Sequence, residues 1–353
     1  PEAVWRLKGR TWQVIGVSLV DGLIFLALIL FVEQFGPPSV LTILLLLFVA
    51  NVPGFFVVGL PILRRLRESK QPRIGPRYRR LFFLAAVPIG VMSISSQLFA
   101  WLDVFIINGI LGIDHVGEYA VAVKPILGTV FIPVTVSIGL APLIAQVHKR
   151  VRSDISGADL ASLGVRTVGL LGLSIGTIAL LFAPQIIRLS GEIYVQYAWI
   201  LQVFTLTNLL DFLIIFFDQS LLAVSKRKEV MIGTLIALAA ALLFQIGLIG
   251  PFGLAGILVG KMLAQVVKIG YQVSRLGRER RSGAIGGLLR VGLALLPVVG
   301  VYLATAGLPL YLRAGIVVMA LVLGVLLTRL VRPAEIRAVR MMRLERITLP
   351  EEG

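Results

Sequence analysis

The chain has 353 residues, 58% of them hydrophobic, with a mean hydropathy of +0.95, a formal net charge of +16 and no cysteine. That hydropathy lies far outside the range of soluble domains, and the lack of cysteine excludes disulfides, thiolate metal centres and cysteine nucleophiles. In a soluble protein so basic a balance would point to nucleic acid, but here the placement of the charges gives it another meaning.

A spanning helix takes roughly 20 apolar residues. Ten stretches meet that length, at about 13–32, 39–62, 81–108, 118–146, 165–187, 194–224, 229–250, 253–274, 286–306 and 310–329, designated A to J in chain order. The stub before A carries Arg6, Lys8 and Arg10, whereas the A/B loop (Glu33 to Pro38) has no basic residue. The B/C loop is rich in arginine from Arg64 to Arg80, C/D has none, D/E holds Lys149, Arg150 and Arg152, and E/F has only Arg188. F/G holds Lys226, Arg227 and Lys228, G/H has none, H/I runs from Arg275 to Arg281, and the tail after J is again basic. By the positive-inside rule both ends face the cytoplasm, and the loops between them alternate out and in. Every Lys and Arg except Lys124, Arg188, Lys261, Lys268 and Arg313 lies at or beyond a cytoplasmic span end. The charge therefore reads as topology signals and contacts to anionic membrane lipids, and no nucleic-acid partner is expected. His115 and His148 fall on opposite sides of the membrane, so they cannot share a metal, and no metal site is expected.

No phosphate loop, zinc-protease helix or serine-hydrolase elbow occurs. Gly256 to Lys261 has the wrong spacing for a phosphate loop and lies inside an apolar span. Gly256–Gly260 and Gly172–Gly176 instead carry the small-xxx-small spacing of close helix packing. No loop exceeds about 20 residues, too few for a catalytic domain outside the membrane. The chain reads as a non-enzyme, and function has to reside within the bilayer. Trp12, Trp101 and Trp199, near span ends, read as interfacial anchors.

Polar and irregular features inside spans are costly, which makes them informative. Segment C holds Pro88 and the run Ser93, Ser95, Ser96 and Gln97; segment D is interrupted by Pro125, Pro133 and Pro142, each a candidate kink. Asp103 and Lys124 lie about six residues inside the same ends of C and D, roughly 9 Å deep. They suit either a structural ion pair or a phosphate-binding lysine with its carboxylate. Segment F carries Asp211 and Asp218, and H carries Lys261 and Lys268, each pair spaced i, i+7 on one face. Matched depth permits an inner rung Asp218–Lys268 and an outer rung Asp211–Lys261, with Thr207, Asn208 and Gln265 on the same faces able to complete the hydrogen bonding or form a cation site. Structural pairing and substrate or ion handling both remain open for these positions.

At the C/D corner Asp103 is followed by an apolar run, Leu111-Gly112, then Val116-Gly117-Glu118-Tyr119 and a small-residue helix bearing Lys124. This resembles the opening of a six-helix half in the multidrug/oligosaccharidyl-lipid/polysaccharide (MOP) exporter superfamily, in particular its polysaccharide-unit flippases. Leu248 to Gly256, with Pro251-Phe252-Gly253, is similar to that family's corner before the last helix of a half. The resemblance implies an all-α, two-lobed MOP/MATE-like transporter fold of about ten transmembrane helices, lacking four helices ahead of Pro1. Residues 1–80 would be the last two helices of the first half, 81–280 the complete second half, and 281–353 an extra helix pair with a basic tail. Phe35-Gly36 in A/B against Phe252-Gly253 in G/H is consistent with repeated halves.

The function so implied is movement of undecaprenyl-pyrophosphate-linked oligosaccharides across a bacterial cytoplasmic membrane for surface polysaccharide synthesis. It needs no cofactor, would couple to a sodium or proton gradient or to the membrane potential, and allows other polysaccharide-assembly membrane proteins as partners. A drug or cation antiporter of the same superfamily, and an integral-membrane polysaccharide polymerase or glycosyltransferase, are the alternatives.

Overall fold

The computed structural model describes residues 76–148, 156–328 and Leu330, together with scattered positions between 20 and 52. Segments A and B and the basic tail lie largely outside the described residues; positions 27–32 of A are helical. The chain divides into two compact units, Pro1–Arg80 and Leu81–Gly353, and the contacts below belong to the second. The described structure is helical: α1 (Pro76–Ile110), α2 (Ile113–Leu127), α3 (Phe131–His148), α4 (Gly157–Arg188), α5 (Ala198–Ala223), α6 (Arg227–Arg275), α7 (Arg278–Ala304) and α8 (Leu310–Leu327). Short 3-10 turns at Gly128–Val130 and Glu192–Tyr197 join α2 to α3 and lead into α5.

Local sequence accounts for the breaks. α1 opens on Pro76, suited to a first helical position because its missing N–H is one that has no partner there anyway. The helix runs on through Pro88, so that proline does not divide it. It ends where Gly112 takes φ 97°, while the Leu111 and Gly112 amides both donate to the Ile107 carbonyl. α2 therefore starts immediately, with Asp114 in its first turn where the helix dipole favours an anion.

Segment D, read as one helix, is two. Pro125 sits in the last turn of α2, the 3-10 turn follows, and Thr129 Oγ1 donates to the Ile126 carbonyl at 2.7 Å. Pro133 then falls in the first turn of α3, where a lost donor is harmless, and Pro142 lies inside α3. α4 is capped by Ser156, whose Oγ accepts from the Asp159 amide at 3.0 Å, and its helical dihedrals lapse at Phe182, two residues before Pro184.

α6 would be about 74 Å long if straight, more than twice the hydrocarbon thickness. It is instead a hairpin. At Gly253 the backbone takes φ 54°, ψ −134°, and the two arms, read in the sequence as G and H, fold back on each other. Tyr271 on the second arm donates to Glu229 at the start of the first at 2.7 Å. A Cβ built on Gly256 would lie 2.1 Å from the Leu248 carbonyl oxygen, and one on Gly260 would lie 2.8 Å from the Gln245 nitrogen. These glycines let backbone meet backbone, as their spacing indicates. The seven described elements long and apolar enough to cross a membrane thus supply the crossings C to J, with α6 passing twice.

A direct consequence concerns Gly256. Gly256→Val forces the arms of α6 apart and is expected to lower stability by about 1–3 kcal/mol, the usual penalty of overpacking. Thermal unfolding in detergent measures it, with Gly247→Ala, where an added Cβ meets nothing within 4 Å, as the control that stays unchanged.

α5 is the axis of the unit. It packs against α2, α3, α4 and α6, and most of its side chains are buried, among them Phe204, Phe212, Phe216 and Phe217. α7 lies along α4, and α8 joins the outside of α7. The apolar core runs the length of α5, so polar side chains that α5 and α6 carry in the same span are enclosed rather than exposed to lipid.

Candidate functional site

Buried polar groups form a stack along the α5–α6 face. Lys261, Gln265, Lys268 and Gln272 follow one face of the second arm of α6, and Asn208, Asp211 and Asp218 face them from α5. The spacings fix three levels, each roughly one helical turn or two from the next.

At the first level the Asp103 carboxylate of α1 accepts from three donors: Lys261 Nζ, Tyr119 OH of α2 at 2.5 Å, and Gln245 Nε2 of the first α6 arm at 2.8 Å. Asp103 is 2% exposed and Lys261 6%. The ammonium also lies 5.4 Å from the Phe204 ring centroid and 6.0 Å from that of Phe99, within reach of cation–π attraction. A buried ion pair is tolerable only when further hydrogen bonds satisfy both ions, and Tyr119 and Gln245 do that for the carboxylate.

At the middle level Asp211 Oδ1 accepts from Gln265 Nε2 at 2.6 Å, and Asn208 Nδ2 reaches Thr129 Oγ1 at 3.4 Å. No lysine bonds Asp211 among the described residues. Thr207 Oγ1, Asn208 Oδ1 and Gln265 Oε1 are buried without a hydrogen-bond partner. At the third level Lys268 Nζ bonds Asp218 Oδ2 at 3.0 Å, and Gln272 Nε2 donates to Asp218 Oδ1 at 2.5 Å.

The inner rung Asp218–Lys268 therefore forms, while the outer one does not. Lys261 bonds Asp103 in place of Asp211, because the second α6 arm packs against the first and brings Lys261 to Gln245 and α1 together. Asp103 and Lys124 do not pair either. Lys124 is exposed on α2 and makes no hydrogen bond or ion pair among the described residues. Ser93, Ser96 and Gln97 of α1 are likewise exposed, while Ser95 is buried.

The fold is similar to that of a lipid II flippase. The solved structure of the lipid II flippase MurJ in its inward closed conformation superposes with a TM-score of 0.66, covering 93% of this chain and 70% of that one at 11% sequence identity. No family model matches the sequence, and no curated protein does. The described residues are all-α, with seven elements long and apolar enough to make a polytopic membrane protein, and they share the fold of that solved structure.

Against that architecture, three members of the stack escaped sequence reasoning: Tyr119, Gln245 and Gln272. Gln272 continues the face of Lys261, Gln265 and Lys268 at helical spacing, and Gln245 is a lone amide in a long apolar run, so both carried a readable signal. Tyr119 stood in the Val116-Gly117-Glu118-Tyr119 motif, but nothing there tied it to Asp103, since a tyrosine near a span end also reads as an interfacial anchor.

Proposed function

We propose that the protein is a flippase for a lipid-linked oligosaccharide, moving the unit between leaflets without chemical change. The observation that carries this reading is the fold likeness to a lipid II flippase, joined to interior charges arranged for pairing and hydrogen bonding. A sugar unit and its phosphates need a polar route, because an unpaired charge in hydrocarbon costs several kcal/mol. We assign the phosphate contact to Lys124, an exposed cation in a membrane-spanning helix with no partner among the described residues. A lysine so placed has to meet water or an anion.

Asp103–Lys261 and Asp218–Lys268 act as structural clamps in this reading, and Asp211 is the coupling residue. It is the carboxylate of the stack without a lysine, and Asn208, Gln265 and Thr207 beside it offer spare oxygen acceptors of the kind a proton or an alkali cation uses. The substrate is an undecaprenyl-pyrophosphate-linked unit, the site of action the bacterial cytoplasmic membrane, and the basic loops face the cytoplasm. Residues 81–280 form the second half of the transporter, with 1–80 contributing to the first. Depletion of the protein in its host tests the reading. The lipid-linked unit is expected to accumulate in the cytoplasmic leaflet with its glycan intact, and normal surface polysaccharide after depletion would contradict it.

A further inference from the structure

A cavity of about 230 Å³ opens between α4, α5 and α7, away from the charged stack. Its walls are Gly172, Gly176, Leu180, Leu206, Val299 and Tyr302, and almost all of the lining is apolar. Gly172 lets α5 pack closely there, since a Cβ on it would lie 2.8 Å from the Leu209 side chain, and the space left between this contact and α7 is not filled by any side chain among the described residues. Interiors are otherwise close-packed, and atoms around an unfilled void lose their contacts.

The end of this cavity away from the basic loops is polar. Gln202 Nε2 donates to the Tyr302 hydroxyl at 2.8 Å. The Arg313 guanidinium stacks on the Tyr302 ring, 3.8 Å from its centroid, and Nη2 donates to the Tyr302 carbonyl at 3.0 Å. Its Nε is buried without an acceptor. Arg313 lies three residues into α8, roughly 5 Å from the helix start, and so at the level of the membrane interface. By the positive-inside rule, that interface is the outer one.

An apolar slot whose polar end is the Tyr302 ring, with a guanidinium stacked on that ring and a donor left without an acceptor among the described residues, matches one kind of molecule in both shape and charge. We infer that this cavity holds an acyl chain of an anionic phospholipid of the outer leaflet, with Arg313 binding its phosphate. Charge complementarity decides the headgroup, since a guanidinium binds phosphate oxygens with charge-assisted hydrogen bonds. The Tyr302 ring positions the guanidinium, and Gln202 holds Tyr302. The lipid then takes the place of side chains in joining α7 to the α4–α5 pair. The site is separate from the stack and from Lys124, so it stands whatever the protein carries.

Native mass spectrometry of the purified, delipidated protein, titrated with phosphatidylglycerol and phosphatidylcholine of equal chain length, tests this. The wild type is expected to retain phosphatidylglycerol about tenfold more tightly. Arg313→Gln should abolish the preference and Arg313→Lys should keep it. Val299→Phe should reduce retention of both lipids, and Leu206→Trp is a second filling variant in case the first does not fold. Equal retention of the two lipids by the wild type would overturn the proposal, as would retention unchanged in both filling variants. Displacement of phosphatidylglycerol by a polyprenyl phosphate at equal concentration would also overturn it, by making the cavity a seat for an isoprenoid instead.

Discussion

Asp103→Ala is expected to lower stability by about 3–5 kcal/mol, the range for removing one partner of a buried ion pair. The carboxylate is almost wholly enclosed and serves Lys261, Tyr119 and Gln245 at once, so its loss strands an ammonium, a phenol and an amide drawn from α2 and both arms of α6. The stranded ammonium dominates, because a lone charge in a dry interior costs more than a lone neutral donor. Adding Lys261→Met removes that charge at similar volume and should restore most of the loss, leaving only the neutral donors unsatisfied. Thermal or denaturant unfolding of the wild type, both single variants and the double variant gives the coupling directly, and a contacting pair should depart from additivity by 0.5–3 kcal/mol or about that. Additive losses would mean that Asp103 and Lys261 do not act as a clamp.

Lys124→Ala is expected to do the opposite, leaving abundance and unfolding temperature unchanged while lowering export about 10- to 100-fold. The asymmetry follows from geometry. Lys124 is exposed and makes no hydrogen bond or ion pair among the described residues, so its removal breaks none of their contacts. A charge-assisted hydrogen bond to phosphate is worth about 1.5–3 kcal/mol, and its loss appears only when substrate is present. Lys124→Arg keeps the charge and should retain most of the activity. Complementation of depleted cells, scored by surface polysaccharide and by immunoblot of the membrane fraction, separates the two quantities. Normal export by Lys124→Ala would remove this residue from the substrate path.

The spans were legible because their signal is one-dimensional. Apolar length marks spans directly, and the spans C, E, F, I and J correspond to α1, α4, α5, α7 and α8. Breaks were harder to place. Three prolines in D pointed to a disturbed helix, yet the actual division lies at Gly128–Val130, where the 3-10 turn combines with Pro125 behind it and Pro133 ahead. Pro88, alone in a long helix, did not divide α1.

The pairings were partly legible for a related reason. Counting residues from a span end gives depth but not direction around the bundle. Depth alone suffices for Asp218 and Lys268, because α5 and the second α6 arm face each other there. It fails for Lys261, which has Asp103 and Asp211 at comparable depth, and the choice rests on how the α6 hairpin brings Gln245 beside Gly260. That choice leaves Lys124 and Asp211 without the ion pairs the sequence allowed them, and the functional proposal rests on these two residues.

This protein is expected to move a lipid-linked saccharide without altering it. Reconstitution into liposomes containing a lipid-linked oligosaccharide with a fluorescent glycan, followed by addition of a membrane-impermeant quencher, measures movement directly. In protein-free vesicles only the outer-leaflet pool should be quenched. With the protein present, the protected inner pool is expected to become accessible over time, and the recovered lipid should carry the same glycan by mass spectrometry. A protected pool that stays protected under every imposed sodium, proton or electrical gradient, or a recovered product with a new glycosidic bond, would contradict the account.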